Sequence, residues 1–404
     1  MNKIIKIYEE DSMTAEERLA SVVRLEQPDR VPLSLFIYHY APVFLKSSMR
    51  NYINDTSEYM RVSRQLYEEL GPWDIYYNTN PYSRFIYSTL LMMRLLYPGK
   101  ELDEDKVPLI DEIQYMNEDD YDWVIKMPRL FNIAFFRARM LPRFCREAEG
   151  LGFIRTILRM WNHAVRQILY SRKDMQWWKE RGLVVQIGMN PEMPFDTFSM
   201  ARDVIHFSMD IMRNPLKVRD AALSLSESFA DEAIIISRLM GVPRVQCFCH
   251  RTSNSFISPK QFEELAFPSM EIIVNRLVKA GITPILHCDG DWLKNLKVMR
   301  RLPAGKCIIQ LDGLTDIFKA KEEIGDHMCI FGDVPASMLA ASSPQAVDEY
   351  CHRLIEEVGR GGGFILGAGC EIPTNAKEEN MRAMIRSVYR YGYYSLKKTE
   401  RSVA

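Results

Sequence analysis

The second half of the sequence alternates between helical segments and short apolar segments that end in glycine, proline or aspartate. The clearest helical pattern begins at Pro215 and ends at Met240, just before Gly241. Alternating helices and strands are typical of βαβ units, whose strands form a parallel sheet. Because the strands are apolar on both faces, the pattern favours a closed (β/α)8 barrel over an open sheet. It predicts strands at residues 244–249, 282–288, 307–311, 328–331 and 363–366.

A barrel of this type has eight strands, so the first half of the chain must supply three more. The candidates are residues 31–37, 73–77 and 183–188, which are short and largely apolar. Residues 79–180 fit the barrel poorly, because they are rich in Met, Tyr, Trp and Arg and have a mostly helical pattern. We predict a single α/β domain over residues 1–404, with N-terminal helical segments and a helical insertion at 79–180 over the barrel mouth.

The composition argues against several classes of protein. Lys and Arg total 52 and Asp and Glu total 53, so the chain lacks the basic excess of a nucleic-acid-binding protein. No apolar run approaches the roughly 18 residues that a membrane-spanning helix needs. The start does not resemble a secretory signal, and the eight cysteines have no regular disulfide spacing. We therefore expect a cytoplasmic protein with reduced thiols that binds neither nucleic acid nor membranes.

Two of the predicted strands end in residues that can bind a metal. Residues 282–288 lead into Asp289, and the last strand leads into Cys370. Because side chains alternate along a strand, His287 and Asp289 point to one side and Cys288 to the other. Three protein ligands, His287, Asp289 and Cys370, with one open position are typical of catalytic zinc. If the strand ends before residue 288, Cys288 replaces Asp289; alternatively, His287 is a hydrogen-bonded core residue and the cysteines serve packing.

Polar residues also follow the strand at 244–249. His250 is a candidate for catalysis, and either His250 or Cys249 could approach the metal, although the cysteines of this strand could equally be core residues. Arg251 and Asn254 lie on the loop after the strand, where substrate contacts are common. We predict that these two residues bind the substrate.

Asp333 follows the strand at 328–331 and is the second catalytic candidate. It could orient His287, hold a substrate hydroxyl, or cap the next helix. Tyr38 and His39 follow the first strand and are predicted to line the substrate pocket, with plain packing as the alternative. The chain has no GxGxxG, GxxxxGKS/T, GxSxG or HExxH motif, so nucleotide-binding, serine-hydrolase and zincin functions lose their usual support.

Further short motifs lie along most of the chain: TAEERL at 14–19, QPDRVP at 27–32, MPF at 193–195, SP at 258–259, HCDG at 287–290, GCEIP at 369–373 and ENMRAM at 379–384. Together they resemble the uroporphyrinogen decarboxylase superfamily. The resemblance covers nearly the whole chain, is most specific near its two ends, and weakens at residues 79–180. It implies a (β/α)8 barrel, in agreement with the strand and helix pattern.

The superfamily that the chain resembles includes metal-free tetrapyrrole decarboxylases and zinc-dependent, corrinoid-linked methyltransferases. The decarboxylases use an arginine-rich N-terminal segment to bind substrate carboxylates, whereas residues 33–40 of this chain contain no arginine. The methyltransferases use a His-x-Cys pair and a later Cys as zinc ligands. The chain matches this pattern at His287 and Cys370, and it departs from it at Asp289, with the cysteine displaced to Cys288.

An oxygen ligand leaves zinc a stronger Lewis acid than a thiolate does, which suits polarising an ether oxygen. The resemblance therefore implies a zinc-dependent methyltransferase that moves a methyl group from a small methoxylated, aromatic substrate to the corrinoid (cobalamin) of a partner protein. The alternatives are a methylcobalamin:thiol methyltransferase, a metal-free porphyrinogen decarboxylase, and a ligand-binding barrel without catalysis. The oligomeric state stays open, with a homodimer among the options.

Overall fold

The computed structural model describes residues 6–78 and 83–394. The start of the predicted insertion and both ends of the predicted domain lie outside the described residues. Within them, the strands are β1 (Leu33–Leu35), β2 (Ile75–Tyr76), β3 (Arg94–Leu96), β4 (Leu109–Asp111), β5 (Val184–Val185), β6 (Arg244–Cys249), β7 (Thr283–Cys288), β8 (Ile308–Leu311), β9 (Cys329–Val334) and β10 (Phe364–Ala368).

The α-helices of the same residues are α1 (Ala15–Val23), α2 (Tyr40–Phe44), α3 (Met49–Asn54), α4 (Thr56–Leu70), α5 (Arg84–Leu91), α6 (Asp119–Lys126), α7 (Asn132–Met140), α8 (Phe153–Lys179), α9 (Pro194–Arg202), α10 (Val204–Arg213), α11 (Pro215–Met240), α12 (Pro259–Gln261), α13 (Phe267–Lys279), α14 (Leu296–Met299), α15 (Ile317–Ile324), α16 (Ala336–Ala341), α17 (Pro344–Arg353) and α18 (Glu378–Tyr391). Single turns of 3-10 helix occur at Leu141–Arg143, Arg146–Ala148 and Leu293–Asn295, and π-helical turns at Phe262–Ala266 and Leu354–Val358.

Eight strands form one parallel sheet in the order β5-β2-β1-β10-β9-β8-β7-β6. Ser34 of β1 is in register with Ile75 of β2 and with Gly367 of β10. The chain that follows β5 pairs with β6 through a parallel bridge between Met189 and Val245. Every one of the eight strands lies within or overlaps a predicted strand, and the predicted (β/α)8 barrel class is confirmed.

The chain divides into two compact units. The first comprises Met1–Asn80, Asp174–Gln186 and Cys288–Ala404, and it contains β1, β2, β5, β8, β9 and β10. The second comprises Pro81–Lys173 and Ile187–His287, and it contains the β3–β4 hairpin, β6 and most of β7. Two of the four divisions fall inside α8 and inside β7. The predicted single domain with an insertion at 79–180 stays a prediction.

A buried ion network in the first unit connects α1 with the first two strands. The guanidinium of Arg30 donates to both carboxylate oxygens of Asp74 at 2.7 Å, and Arg18 donates to the same carboxylate at 2.7 Å. Asp74 also accepts the backbone N–H of Leu33 at 2.9 Å. Charged groups are costly to bury unless they are paired and hydrogen-bonded. Arg30 of the QPDRVP motif therefore has a structural role, because it pairs with the buried carboxylate of Asp74.

The TAEERL motif is the start of α1. The Thr14 side chain accepts the backbone N–H of Glu17 at 3.2 Å, while the Glu17 carboxylate accepts the backbone N–H of Thr14 at 2.8 Å. This reciprocal arrangement is a capping box, which satisfies two backbone donors that the first helical turn leaves without partners. The motif therefore sets where the first helix begins.

Candidate metal centre

His287, Asp289 and Cys370 come together as the sequence predicts. His287 is a buried residue of β7, Asp289 follows the end of that strand, and Cys370 follows the end of β10. One ligand atom from each of the three lies within 4.8 Å of the other two. Cys288, the alternative third ligand, is fully buried and is not part of this group. The geometry agrees with side-chain alternation at the end of β7.

The turn after Asp289 is held by the loop that follows β8. Gly290 has a φ of 89°, a conformation that favours glycine. Its backbone N–H donates to the Asp312 carboxylate at 2.7 Å, and its carbonyl accepts from the Thr315 hydroxyl at 3.1 Å. The same hydroxyl accepts the backbone N–H of Trp292 at 2.9 Å. These three hydrogen bonds fix the backbone from which the Asp289 side chain extends.

The loop that carries Cys370 also packs against Asp312. A Cβ atom at Gly369 would collide with the backbone carbonyl of Asp312, so this position has no room for a side chain. The Gly369 N–H donates to the carbonyl of Val334 at 3.1 Å. Asp312 thus contacts the backbone next to two of the three candidate ligands, by its side chain on one loop and its main chain on the other.

The residue after Cys370 binds His39. Oε1 of Glu371 lies 2.6 Å from Nδ1 of His39 and accepts the backbone N–H of His39 at 2.8 Å. Nε2 of His39 is buried without a hydrogen-bond partner. The ring of Tyr38 packs on the His39 ring at 4.1 Å and is itself buried. The structure therefore places His39 beside the Cys370 loop, and Tyr38 in the packing that supports it.

His250 lies beside His287, with the Phe248 ring in contact with both. The Phe248 ring stacks on His250 with centroids 5.1 Å apart and meets the His287 ring edge-on at 5.3 Å. Nδ1 of His250 is 2.6 Å from a carboxylate oxygen of Glu192, which is fully buried. A buried carboxylate on one ring nitrogen orients an imidazole.

Arg251 is anchored by its backbone and by its side chain. Its N–H donates to the buried carboxylate of Asp196 at 2.7 Å, and its guanidinium donates to the carbonyl of Ser199 at 3.0 Å and to Glu112 at 2.9 Å. Burial and then the charge of Glu192 raise the pKa of Asp196 to about 7. A guanidinium has five N–H donors, so three of those of Arg251 are not used by the contacts with Ser199 and Glu112. Asn254 is half-buried in the turn that follows.

Asp333 occupies a different environment from the one its sequence position suggests. It lies within β9 rather than after a strand end, and it is buried. Its Oδ1 accepts a hydrogen bond from the Tyr350 hydroxyl of α17 at 2.8 Å. Burial raises the pKa of Asp333 to about 6, against the opposing effect of that hydrogen bond. The carboxyl group therefore faces a helix of the outer layer.

The three converging residues fit a zinc ion in donor type. They offer an imidazole nitrogen, a carboxylate oxygen and a thiolate sulfur, and each is an established zinc ligand at about 2.0 to 2.3 Å. Tetrahedral ligands at those bond lengths are roughly 3.3 to 3.8 Å apart. A separation within 4.8 Å closes to that value by small side-chain rotations. Among the described residues, His287, Asp289 and Cys370 form the group of possible ligands whose atoms lie close enough together to bind one metal ion.

The uroporphyrinogen decarboxylase (URO-D) family model matches residues 176–391, which is more than half of the chain. The chain belongs to the URO-D family. The uroporphyrinogen decarboxylase of Pseudoalteromonas atlantica is 25% identical over 146 residues, covering 35% of this chain and 39% of that protein. The one from Saccharophagus degradans is 31% identical over 178 residues, covering 42% and 48%. The match thus spans between two fifths and one half of these relatives' lengths.

A solved methyltransferase structure from Methanosarcina mazei is also similar to this URO-D family chain. The TM-score is 0.66 at 13% sequence identity, and the match covers 94% of this chain and 99% of that one. At this identity the likeness establishes a shared fold. Among the helices of the described residues, none has both the length and the hydropathy to cross a membrane.

The sequence of this URO-D family chain did not lead us to three acidic side chains that bind residues next to the candidate metal ligands. They are Glu192, which binds His250, Glu371, which binds His39, and Asp312, which binds Gly290. Glu192 stands between Pro191 and Met193 in the segment NPEMP, where a buried carboxylate has no local signal. Asp312 directly follows the end of β8 and Glu371 lies three residues after the end of β10, and a position near a strand end was a signal available in the sequence.

Proposed function

We propose that this URO-D family chain is a zinc-dependent methyltransferase. It would move a methyl group from a small methoxylated, aromatic substrate to the cobalt of a corrinoid on a partner protein. The observation that carries the proposal is the convergence of His287, Asp289 and Cys370 within 4.8 Å. A zinc ion at these ligands would supply Lewis-acid polarisation of a substrate oxygen.

His250 is the proposed proton donor to the substrate oxygen, which becomes negatively charged when its methyl group departs. The contact of Nδ1 with Glu192 at 2.6 Å holds the ring, so the opposite nitrogen, Nε2, is the atom that would carry the proton. The ring is half-buried and adjoins His287 through Phe248, which keeps it close to the proposed metal ligands. Glu192 acts through His250 as a positioning residue.

Substrate binding is assigned to His39, Arg251 and Asn254. Nε2 of His39 is buried without a partner and is the atom proposed to bind a polar substituent of the ring. Arg251 would use the guanidinium N–H groups that Ser199 and Glu112 leave available. The ring of Tyr38 packs against the ring of His39 and supports it. Asp333 is assigned no catalytic role, because its carboxyl group binds Tyr350.

The test combines metal analysis with methyl transfer from methoxylated aromatics to a reduced corrinoid protein. Purified protein should contain about one zinc per chain, and His287→Ala or Cys370→Ala should lose both zinc and transfer. Cys288→Ala is the matched control, since this neighbouring cysteine is buried outside the ligand group. Full transfer by zinc-free protein would overturn the proposal, and loss of zinc in Cys288→Ala would reassign the third ligand.

The names of the relatives support a second candidate, a metal-free porphyrinogen decarboxylase. Against it, residues 33–40 contain no arginine to bind the many carboxylates of such a substrate. Incubation with uroporphyrinogen separates the two: release of carbon dioxide by chelator-treated protein would establish the decarboxylase. A third assay, methyl transfer from methylcobalamin to a thiol, tests the thiol methyltransferase.

A further inference from the structure

Helix α8 exposes a stripe of large apolar side chains. Its other side is buried through Thr156, Met160 and Ser171. Exposed apolar patches of this extent on a helix mark an interaction surface more often than chance exposure. The exposed side chains are Phe153 (42%), Ile154 (72%), Leu158 (63%), Trp161 (64%), Val165 (51%) and Leu169 (64%). We call these six residues the α8 stripe.

The spacing of the α8 stripe is that of a helix that packs against another helix. Positions 154, 158, 161 and 165 are separated by four, three and four residues, and half-buried Ile168 continues the series. Apolar residues at alternating intervals of three and four form the seam of a left-handed coiled coil. The positions beside the seam are largely uncharged: Ile157 and Ala164 on one flank, and Asn162 and Leu169 with Arg155 on the other.

The stripe is nearly symmetric about its own centre. Measured from the midpoint between residues 161 and 162, Ile154 is as far away as Leu169, and Leu158 is as far as Val165. Two copies related by a twofold axis through that midpoint would therefore pack Ile154 against Leu169 and Leu158 against Val165, with Trp161 facing Asn162 at the centre. This self-complementarity is what an isologous dimer interface requires.

Charge selects the antiparallel arrangement. Residues 153–173 contain four arginines and one lysine and no acidic residue. In a parallel arrangement each arginine or lysine would face the same residue of the other copy, and this repulsion is unfavourable. In the antiparallel register Arg155 faces Ile168 and Arg166 faces Ile157 of the other copy, so like charges are offset along the helix.

We propose that two copies of this chain associate through antiparallel α8 helices, with Trp161 and Asn162 at the twofold axis. The six side chains would bury on the order of 600 Å² per copy, which reaches the lower limit of about 1,200 Å² in total for specific interfaces. The association uses no residue of the metal centre. Zinc-depleted protein should therefore form the same dimer, so this result is separable from the fate of the proposed function.

Sedimentation of the full chain tests the association. Wild type should be dimeric at tens of micromolar, and Leu158→Glu and Trp161→Glu should be monomeric with unchanged circular dichroism. Met212→Glu on α10 is the matched control, because Met212 is an exposed apolar residue of the same unit outside the stripe. A monomeric wild type, or dissociation by Met212→Glu, overturns the proposal. If the wild type is monomeric and binds phosphatidylglycerol vesicles, the α8 stripe binds a membrane surface and the proposed dimer is wrong.

Chemical cross-linking tests the antiparallel geometry. Packed helices lie about 8–10 Å apart, beyond the reach of a disulfide, so a short bis-maleimide is the reagent. Asn162→Cys, at the axis, should give cross-linked dimers, whereas Ile154→Cys should not, because its neighbour in the other copy is Leu169. Seven of the eight native cysteines are buried and Cys370 is half-buried, so wild type supplies the background. Equal cross-linking of both variants would overturn the antiparallel register.

Discussion

The carboxylate of Asp312 accepts the backbone N–H of Gly290 at 2.7 Å, one residue beyond the candidate ligand Asp289. The main chain of Asp312 also packs directly on Gly369, one residue before Cys370. Asp312 is therefore a positioning residue for two ligands that are far apart in sequence. Residues outside the ligand set that orient a metal site contribute substantially to its affinity.

Asp312→Ala should weaken zinc binding by roughly 10- to 100-fold, because the turn at Gly290 loses its hydrogen-bond acceptor. Competition with a fluorescent zinc chelator measures this affinity directly. Asp326→Ala is the control, since Asp326 is an exposed carboxylate paired with Arg300. An unchanged affinity in Asp312→Ala would show that the ligand loops keep their geometry without this contact.

Glu192→Gln should lower kcat by roughly 10- to 100-fold with little change in KM or zinc content. The physical reason is the lost orientation of His250 by a fully buried carboxylate. Glu227→Gln, an exposed carboxylate of α11, is the control. The double variant Glu192→Gln/His250→Ala should be no slower than His250→Ala alone. Additive losses would separate Glu192 from His250.

The strands were predictable because burial on both faces makes them short apolar runs. Strand β6 has the predicted bounds, whereas β9 continues past residue 331 to Val334. The glycine at 332 and the proline at 335 indicated an earlier end. The extension comes from pairing with β10, where Asp333 is in register with Gly367, and such a tertiary contact leaves no local pattern.

The candidate ligands were predictable for a related reason, since a reactive residue at the end of an apolar run is conspicuous. The contacts of their supporting residues were not, although Asp312 stands at a strand end. Glu192 and Asp312 reach His250 and Gly290 across 58 and 22 positions of sequence, respectively, and nothing local marks those pairings. The antiparallel β3–β4 hairpin was also missed, because its strands are half-buried or exposed and lack an alternating apolar pattern.

Asp196 should make the protein less stable as the pH rises from about 4 to about 7. Its pKa in the folded state is raised from 3.8 to about 7, first by burial and then by Glu192, so the folded state holds a proton that the unfolded state releases. The stability is present below pH 4 and is lost as the pH approaches 7. Urea unfolding at pH 5 and pH 8 should differ by a few kcal/mol through this group.

Asp196→Asn keeps the acceptor for the Arg251 N–H but cannot ionise, so the variant should be less destabilised than wild type between pH 5 and pH 8. Asp220→Asn, an exposed carboxylate on α11, is the control and should leave the pH dependence as it is. An identical pH dependence of unfolding in wild type and Asp196→Asn would contradict the raised pKa of Asp196.

Asp74→Ala should lower the free energy of unfolding by about 3–5 kcal/mol, the usual cost of breaking a buried ion pair from one side. The guanidinium groups of Arg18 and Arg30 would each lose contacts at 2.7 Å and stay buried. Glu26→Ala is the control, because it breaks a pair with Arg24 whose side chains are half exposed. Such surface pairs contribute about 0–1 kcal/mol. Equal effects of the two substitutions in urea unfolding would mean that the network adds no more than a surface pair does.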